Sequence, residues 1–164
     1  MANAREILSR MKSVQDTRKI TNAMYLISST KLKKSKKLLE ETEPYFYSLQ
    51  DLIRRILRHM PDVEHFYFNP RKEIKEEDRV KGLIVITGDK GLAGAYNHNV
   101  LKMAQEWMEQ SKNHRLYVVG ELGRHYFEAR HIQVEEQFHY TVQNPTMHRA
   151  RLISSTILEG YEEG

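Results

Sequence analysis

From Ile7 to Leu39, steps of four and three residues pick out one line along the chain: Ile7, Met11, Val14, Arg18, Thr21, Tyr25, Ser28, Leu32, Ser35 and Leu39. This is heptad spacing, the mark of a helix that packs along a seam against another helix. A second row, Ile20, Met24 and Ile27, lies beside it. The first proline is Pro44 and the first glycine is Gly82. A helix is therefore expected from about residue 3 into the low forties, with a kink or a break at Pro44. Leu49, Leu52, Ile53, Ile56 and Leu57 continue the amphipathic pattern to His59-Met60-Pro61. Taken as one continuous element, about 55 residues of this stretch make a rod of about 80 Å, longer than a domain of this size can wrap. Helices draw most of their stability from burying an apolar face, so this one expects a second helix. Ile7, Met11, Val14, Thr21, Ser28, Leu32, Ser35 and Leu39 form the coiled-coil seam. Its small members admit a close partner but add little burial. In isolation such a seam stays open to self-association through residues 7–39.

The pattern changes further along. Residues 61–80, PDVEHFYFNPRKEIKEEDRV, are polar and bracketed by Pro61 and Pro70, and read as a linker. Gly82 to Thr87 is a short β-branched run, expected as a buried strand. GDKGLAGAYN follows as a turn. NVLKMAQEWMEQ then reads as a helix with Val100, Met103 and Trp107 on one face, capped by Asn97 or Asn99. Arg115 to Val119 is a second strand closed by Gly120, Glu121 to Arg130 a helix, and Ile132 to Tyr140 a third strand. Asn144-Pro145-Thr146 reads as a turn and cap before a last helix from Met147 to Gly160. Alternating strands and helices predict an α/β class with a mainly parallel sheet over residues 81–164.

Composition refines this picture. The chain has 164 residues, 40% apolar and 29% charged, which suits a globular protein. No run reaches the roughly 18 apolar residues of a membrane span, and the charged start MANAREILSR lacks a secretory h-region. With no cysteine, disulfides, thiol catalysis and cysteine-ligated metal are excluded. Charge is uneven: residues 1–60 carry 13 Lys/Arg against 6 Asp/Glu, and residues 61–164 carry 13 against 16. A basic arm on a mildly acidic body suggests an anionic partner for the arm.

Candidate chemistry is sparse. TGDKGLAGAYN, residues 87–97, sets glycines at 88, 91 and 94 between a strand and a helix, where α/β folds cradle phosphates. The spacing is neither the dinucleotide fingerprint nor the P-loop, so a plain tight turn and a phosphate site both stay open. His125 and His131 are six apart, and no i,i+4 histidine pair exists. Glu135-Glu136 and Glu162-Glu163 read as solvated surface. Lys31, Lys33, Lys34, Lys36 and Lys37 could meet phosphates or an acidic protein, but they lack the interleaved aromatics of a nucleic-acid platform. No catalytic constellation is found.

Two stretches carry a family resemblance. SVQDTRKITNAMYLISSTKLKKSKK resembles the N-terminal helix signature of the gamma subunit of F-type ATP synthases, through Ser13, Val14, Thr17, Lys19, Ile20, Thr21, Ala23, Met24, Lys31 and Leu32. ITGDKGLAGAYN, residues 86–97, resembles that family's strand–turn–helix motif, with Asp89, Lys90, Gly91, Gly94 and Asn97 in place. Glu43-Pro44-Tyr45 is similar to its Arg-Pro-Tyr. Asp16, Tyr25, Gly88 and Ala93 depart from the pattern without removing it.

The resemblance implies a rotor: half of an antiparallel coiled coil (residues 1–60), a linker (61–80) and a Rossmann-like α/β foot (81–164). The family's long C-terminal helix, which pairs with the arm, is missing from this sequence. It further implies partners in a ring of three alpha and three beta subunits, the epsilon subunit and the membrane c-ring. Membrane association would then be indirect, at the inner face of the bacterial plasma membrane. The expected role is to couple proton-driven c-ring rotation to conformational change at the beta catalytic sites, with no catalysis, cofactor, metal or nucleic acid of its own. On the same basis Met24, Lys31, Lys33 and Lys34 would form the rotor surface facing the ring.

Overall fold

The computed structural model describes residues 3–62, 64–68, 74–111, 113–139, 141–142 and 145–163. Its elements run α1 (Ala4–His59), β1 (Lys81–Ile86), α2 (Tyr96–Gln110), β2 (His114–Val119), α3 (Glu121–Glu128), β3 (Glu136–Phe138) and α4 (Met147–Glu163). The chain divides into two compact units, Met1–Phe68 and Asn69–Gly164.

The first unit is dominated by α1. It is one helix of 56 residues with Pro44 inside it and no buried residue. The expected break at Pro44 is therefore absent. Proline removes one backbone N–H and crowds the preceding turn, but the heptad pattern on either side continues the helix. Flanking hydroxyls bond back to their own turns: Thr42 Oγ1 donates to the Leu38 carbonyl at 2.7 Å, and Ser48 Oγ to that of Pro44 at 2.7 Å. Of the expected linker, Phe66–Phe68 and Glu76–Asp78 form single 3-10 turns, whereas Pro70 lies outside the described residues.

The second unit is a three-stranded sheet in the order β1-β2-β3, all parallel. The register pairs Lys81 with His114 and Ile86 with Val119 on one side of β2, and Tyr117 with Glu136 on the other. Strand alternation assigns alternate residues to opposite faces. On one face Val85, Leu116 and Val118 pack with Leu101 and Ala104 of α2 and Phe127 of α3. On the other, Tyr117, Val119 and Phe138 pack with Ile153 and Ile157 of α4. Ile84 and Ile86, on the outer strand, remain exposed.

Three local expectations are corrected. Met103 is exposed, and α2 meets the core through Val100, Leu101, Ala104 and Met108. The third strand shrinks to Glu136–Phe138, because pairing with β2 stops at Phe138; Tyr140 and Asn144 lie outside the described residues. Gly160 does not end the last helix, which continues to Glu163. A Cβ there would collide with the Tyr117 hydroxyl, so the glycine permits close packing of α4 on β2. Arg115 locks that contact through an ion pair to Glu163 at 2.6 Å. Thr146 does cap α4, accepting the Arg149 N–H on Oγ1 at 3.3 Å.

Candidate functional site

Two places hold the residues singled out by sequence. The first is the C-terminal end of β1, where open α/β sheets commonly bind ligands. Thr87 extends β1 by one residue, its N–H donating to the Val119 carbonyl at 2.8 Å. The chain then turns through Gly88 and Asp89. Helix α3 begins just after β2, and its first amides have no partner inside the helix. The β1–α2 loop supplies them. Glu121 N–H donates to Asp89 Oδ1 at 3.2 Å, Leu122 N–H to the Gly88 carbonyl at 3.2 Å, and Gly123 N–H to Thr87 Oγ1 at 2.9 Å. Asp89 also sets a negative charge at the positive end of the α3 dipole.

This junction needs Gly120. Its φ is +103°, and a Cβ would overlap the Thr87 carbonyl oxygen. Asn97 does not cap α2, which is entered from Ala95 without a side-chain cap. Instead Asn97 Oδ1 accepts the Gly88 N–H at 2.8 Å, pinning the first turn of α2 to the end of β1. One amide that a phosphate-cradling loop would present is thus already bonded. Lys90, Gly91 and Gly94 lie on the exposed outer part of the loop, with Gly94 at φ +57°.

Beside the junction sits a charged cluster that local spacing signals only in part, through the i,i+3 pair Glu121 and Arg124. Glu121 is largely buried. Its carboxylate accepts from Arg124 Nε at 2.9 Å and bonds His139 Nδ1 at 3.1 Å. Arg124 Nη1 also reaches Glu128 at 2.9 Å. Burial works to raise the Glu121 pKa, but the hydrogen bonds from Arg124 and His139 outweigh it and hold the carboxyl below its ordinary value. The hydrogen bonds that Arg124 donates to Glu121 and Glu128 raise its guanidinium pKa above the ordinary value. Every member has a partner, so the cluster reads as a clamp between α3 and the segment after β3. Among the described residues no group of three or more His, Asp or Glu side chains could hold a metal ion.

The second place is α1. Ile7, Met11, Val14, Leu32 and Leu39 of the seam are about half exposed or more, and Thr21, Ser28 and Ser35 are exposed as well. Thr21 Oγ1 donates to the Thr17 carbonyl and Thr17 Oγ1 to that of Ser13, each at 2.9 Å. Met24, Lys31, Lys33 and Lys34 stand exposed on the same helix. Among the described residues no helix is long and apolar enough to cross a membrane.

Comparison with known proteins bears on both places. A family model described as ATP synthase matches residues 3–164. The ATP synthase gamma chain of Acetivibrio thermocellus is 45% identical over 163 residues, covering 99% of this chain and 55% of the relative. That of Ruminiclostridium cellulolyticum is 46% identical over 162 residues, covering 98% and 54%. An Acetobacterium woodii relative, named a sodium ion specific ATP synthase gamma chain, is 35% identical over 162 residues, covering 99% and 52%. The chain thus spans about half the length of these relatives. With an exposed heptad helix followed by a small parallel α/β unit, and matches along almost all of its length, the chain belongs to the gamma-subunit family of ATP synthases.

Proposed function

We propose that this chain is the central-stalk rotor subunit of an F-type ATP synthase, and is itself non-catalytic. Residues 1–60 act as one strand of the shaft, 61–80 as a linker and 81–164 as the foot. The shaft turns inside a ring of three alpha and three beta subunits and passes c-ring rotation to the beta catalytic sites. The foot meets the epsilon subunit and the c-ring on the cytoplasmic side of the membrane. Protons are the proposed coupling ion. The sodium specificity in the name of the A. woodii relative belongs to that protein.

The observation that carries this reading is α1: 56 residues of helix without one buried side chain. A helix needs a packed face, and family membership supplies the kind of partner. The exposed Met24, Lys31, Lys33 and Lys34 suit a bearing surface, with positive charge drawing the shaft toward acidic loops at long range. A sliding contact must also stay shallow. One deeply buried apolar contact of about 100 Å² stabilises by about 2.5 kcal/mol, enough to slow a step more than tenfold. The alternative, a phosphate- or nucleotide-binding module, has less support, since the loop bonds its own helices.

The test is affinity capture of the tagged chain from membranes of the source cells. The rotor reading expects alpha and beta subunits in the eluate with ATPase activity, and reversal of Lys31 and Lys33 to Glu to impair coupling in that complex. Recovery without alpha and beta would overturn the reading. Unchanged coupling in the reversed variant would overturn the bearing role of the lysines.

A further inference from the structure

We propose that His139 and Glu121 form a pH-sensitive clasp, in which protonation of the imidazole tightens the hold of the start of α3 on the segment after β3. His139 is set for this by its neighbours. Phe138 is buried in the cluster that α4 covers, and buried Thr141 donates its Oγ1 proton to the Phe138 carbonyl at 2.9 Å. The chain is thus anchored on both sides of the ring, which reaches Glu121 without the ordering of a loose segment. His139 Nδ1 lies 3.1 Å from Glu121 Oε1, while Oε2 accepts from Arg124 Nε at 2.9 Å.

The chemistry of the contacts decides the direction. A carboxylate only accepts, so His139 Nδ1 carries a proton in this contact. A neutral imidazole meets that demand in one tautomer. The imidazolium meets it always, and its bond is charge-assisted and about twice as strong. Glu121, whose pKa lies below the ordinary carboxyl value, is ionised across the range in which histidines change charge, about pH 5 to 8. The surrounding charges point the same way. Glu121 and Glu128 set two carboxylates against the Arg124 guanidinium, and Asp89 reaches in from the β1–α2 loop to the Glu121 N–H at 3.2 Å. Added positive charge on His139 is favoured in such company. His125 is placed for the opposite response. Its Nε2 lies 3.1 Å from Arg124 Nη2, and arginine only donates, so that nitrogen is unprotonated in this contact. The two histidines of the cluster ask for opposite protonation states, and His125 supplies an internal control.

Glu121 joins two parts of the unit. Its side chain holds His139, and its backbone N–H is capped by Asp89, so it ties the segment after β3 to the β1–α2 loop. The hold that His139 adds is present at the acid end of the histidine range and is lost as pH rises through it. Ionisation of Glu121 works in the opposite sense and at lower pH, so the clasp is tightest between the two. The proposal concerns the α/β unit alone, and its failure leaves the rotor reading standing.

The test is hydrogen exchange of the purified 164-residue chain at about pH 5.5 and about pH 8, toward the two ends of the histidine range. Rates of the β3 amides are corrected for intrinsic exchange and referred to those of β2. The β3 amides should be about two- to fivefold better protected at the acid end, the size expected of a half-exposed ion pair. His139→Gln keeps a neutral donor and should abolish that difference. Glu121→Gln removes the ionised acceptor and should do the same. His125→Gln leaves the Glu121 contact in place and should preserve the difference. The fluorescence of Trp107, the single tryptophan, shows in each variant that the α/β unit is folded. Equal protection at both pH values in the unaltered chain, a difference that survives His139→Gln, or one that vanishes in His125→Gln would each overturn the proposal.

Discussion

The helical arm and the α/β unit carry comparable lengths of chain but satisfy their apolar residues in opposite ways. In the α/β unit, Phe127, Leu116 and Val118 are almost fully buried, and helices cover both faces of β2. In α1, Ile7, Val14, Ile20, Leu32 and Leu39 all remain at least half exposed. The contrast is one of partner and not of composition. The α/β unit closes on itself through contacts far apart in sequence, whereas α1 has a periodic face that only another helix can cover.

Breaking the junction at β1 should produce the largest effect. Gly120→Ala forces a side chain into the Thr87 carbonyl at a left-handed φ. It is expected to destabilise the α/β unit by about 3 kcal/mol or more, read as a loss of cooperative urea unfolding followed by Trp107. Paired truncations sharpen the contrast directly. Phe127→Ala should cost about 3–5 kcal/mol in the same experiment, because it empties a fully enclosed site. Leu32→Ala removes a smaller, aliphatic side chain that stands exposed on α1, and should move that transition by less than about 0.5 kcal/mol.

A smaller and pH-dependent effect is expected from Glu121. Its pKa is lower folded than unfolded, so near the ordinary carboxylate pKa the unfolded chain binds more protons, and stability rises with pH. The contribution is complete above the ordinary value of 4.5 and is lost as pH falls through the lower folded value. Denaturation midpoints measured between neutral and acid pH should therefore fall on the acid side, and Glu121→Gln should flatten that part of the curve. An unchanged acid limb in the variant would show that the clamp contributes nothing to stability.

The same contrast explains what was legible in the sequence. Heptad steps from Ile7 to Leu39 are local, so α1 could be read directly, and of the kink or break expected at Pro44 the break is absent. Gly82 to Thr87 stood out as a β-branched run and Arg115 to Val119 as a short strand closed by Gly120, each within one residue of the observed Lys81–Ile86 and His114–Val119. The loop after β1 was legible as a turn but not in its use. Asp89 caps α3 across 32 positions, and Asn97 turns away from its own helix toward Gly88. Gly120 looked like a strand end, yet its lack of a Cβ answers to Thr87, which approaches it only in the folded unit. Glu121, Arg124 and His139 gave a partial signal, since Glu121 and Arg124 share a helix face at i,i+3; the burial that makes them a clamp comes from tertiary packing.

On the reading proposed above, α1 depends for its stability on a helix outside its own fold. Hydrogen exchange of the α1 amides, measured in the isolated chain at high dilution and again in assembled ATP synthase, tests this most directly. Rapid exchange is expected across residues 7–39 in the dilute chain while the amides of β2 stay protected. In the assembly, the α1 amides should rise to the protection of β2. Equal protection of α1 and β2 in the dilute monomer, or an α1 that still exchanges freely in the assembly, would contradict it.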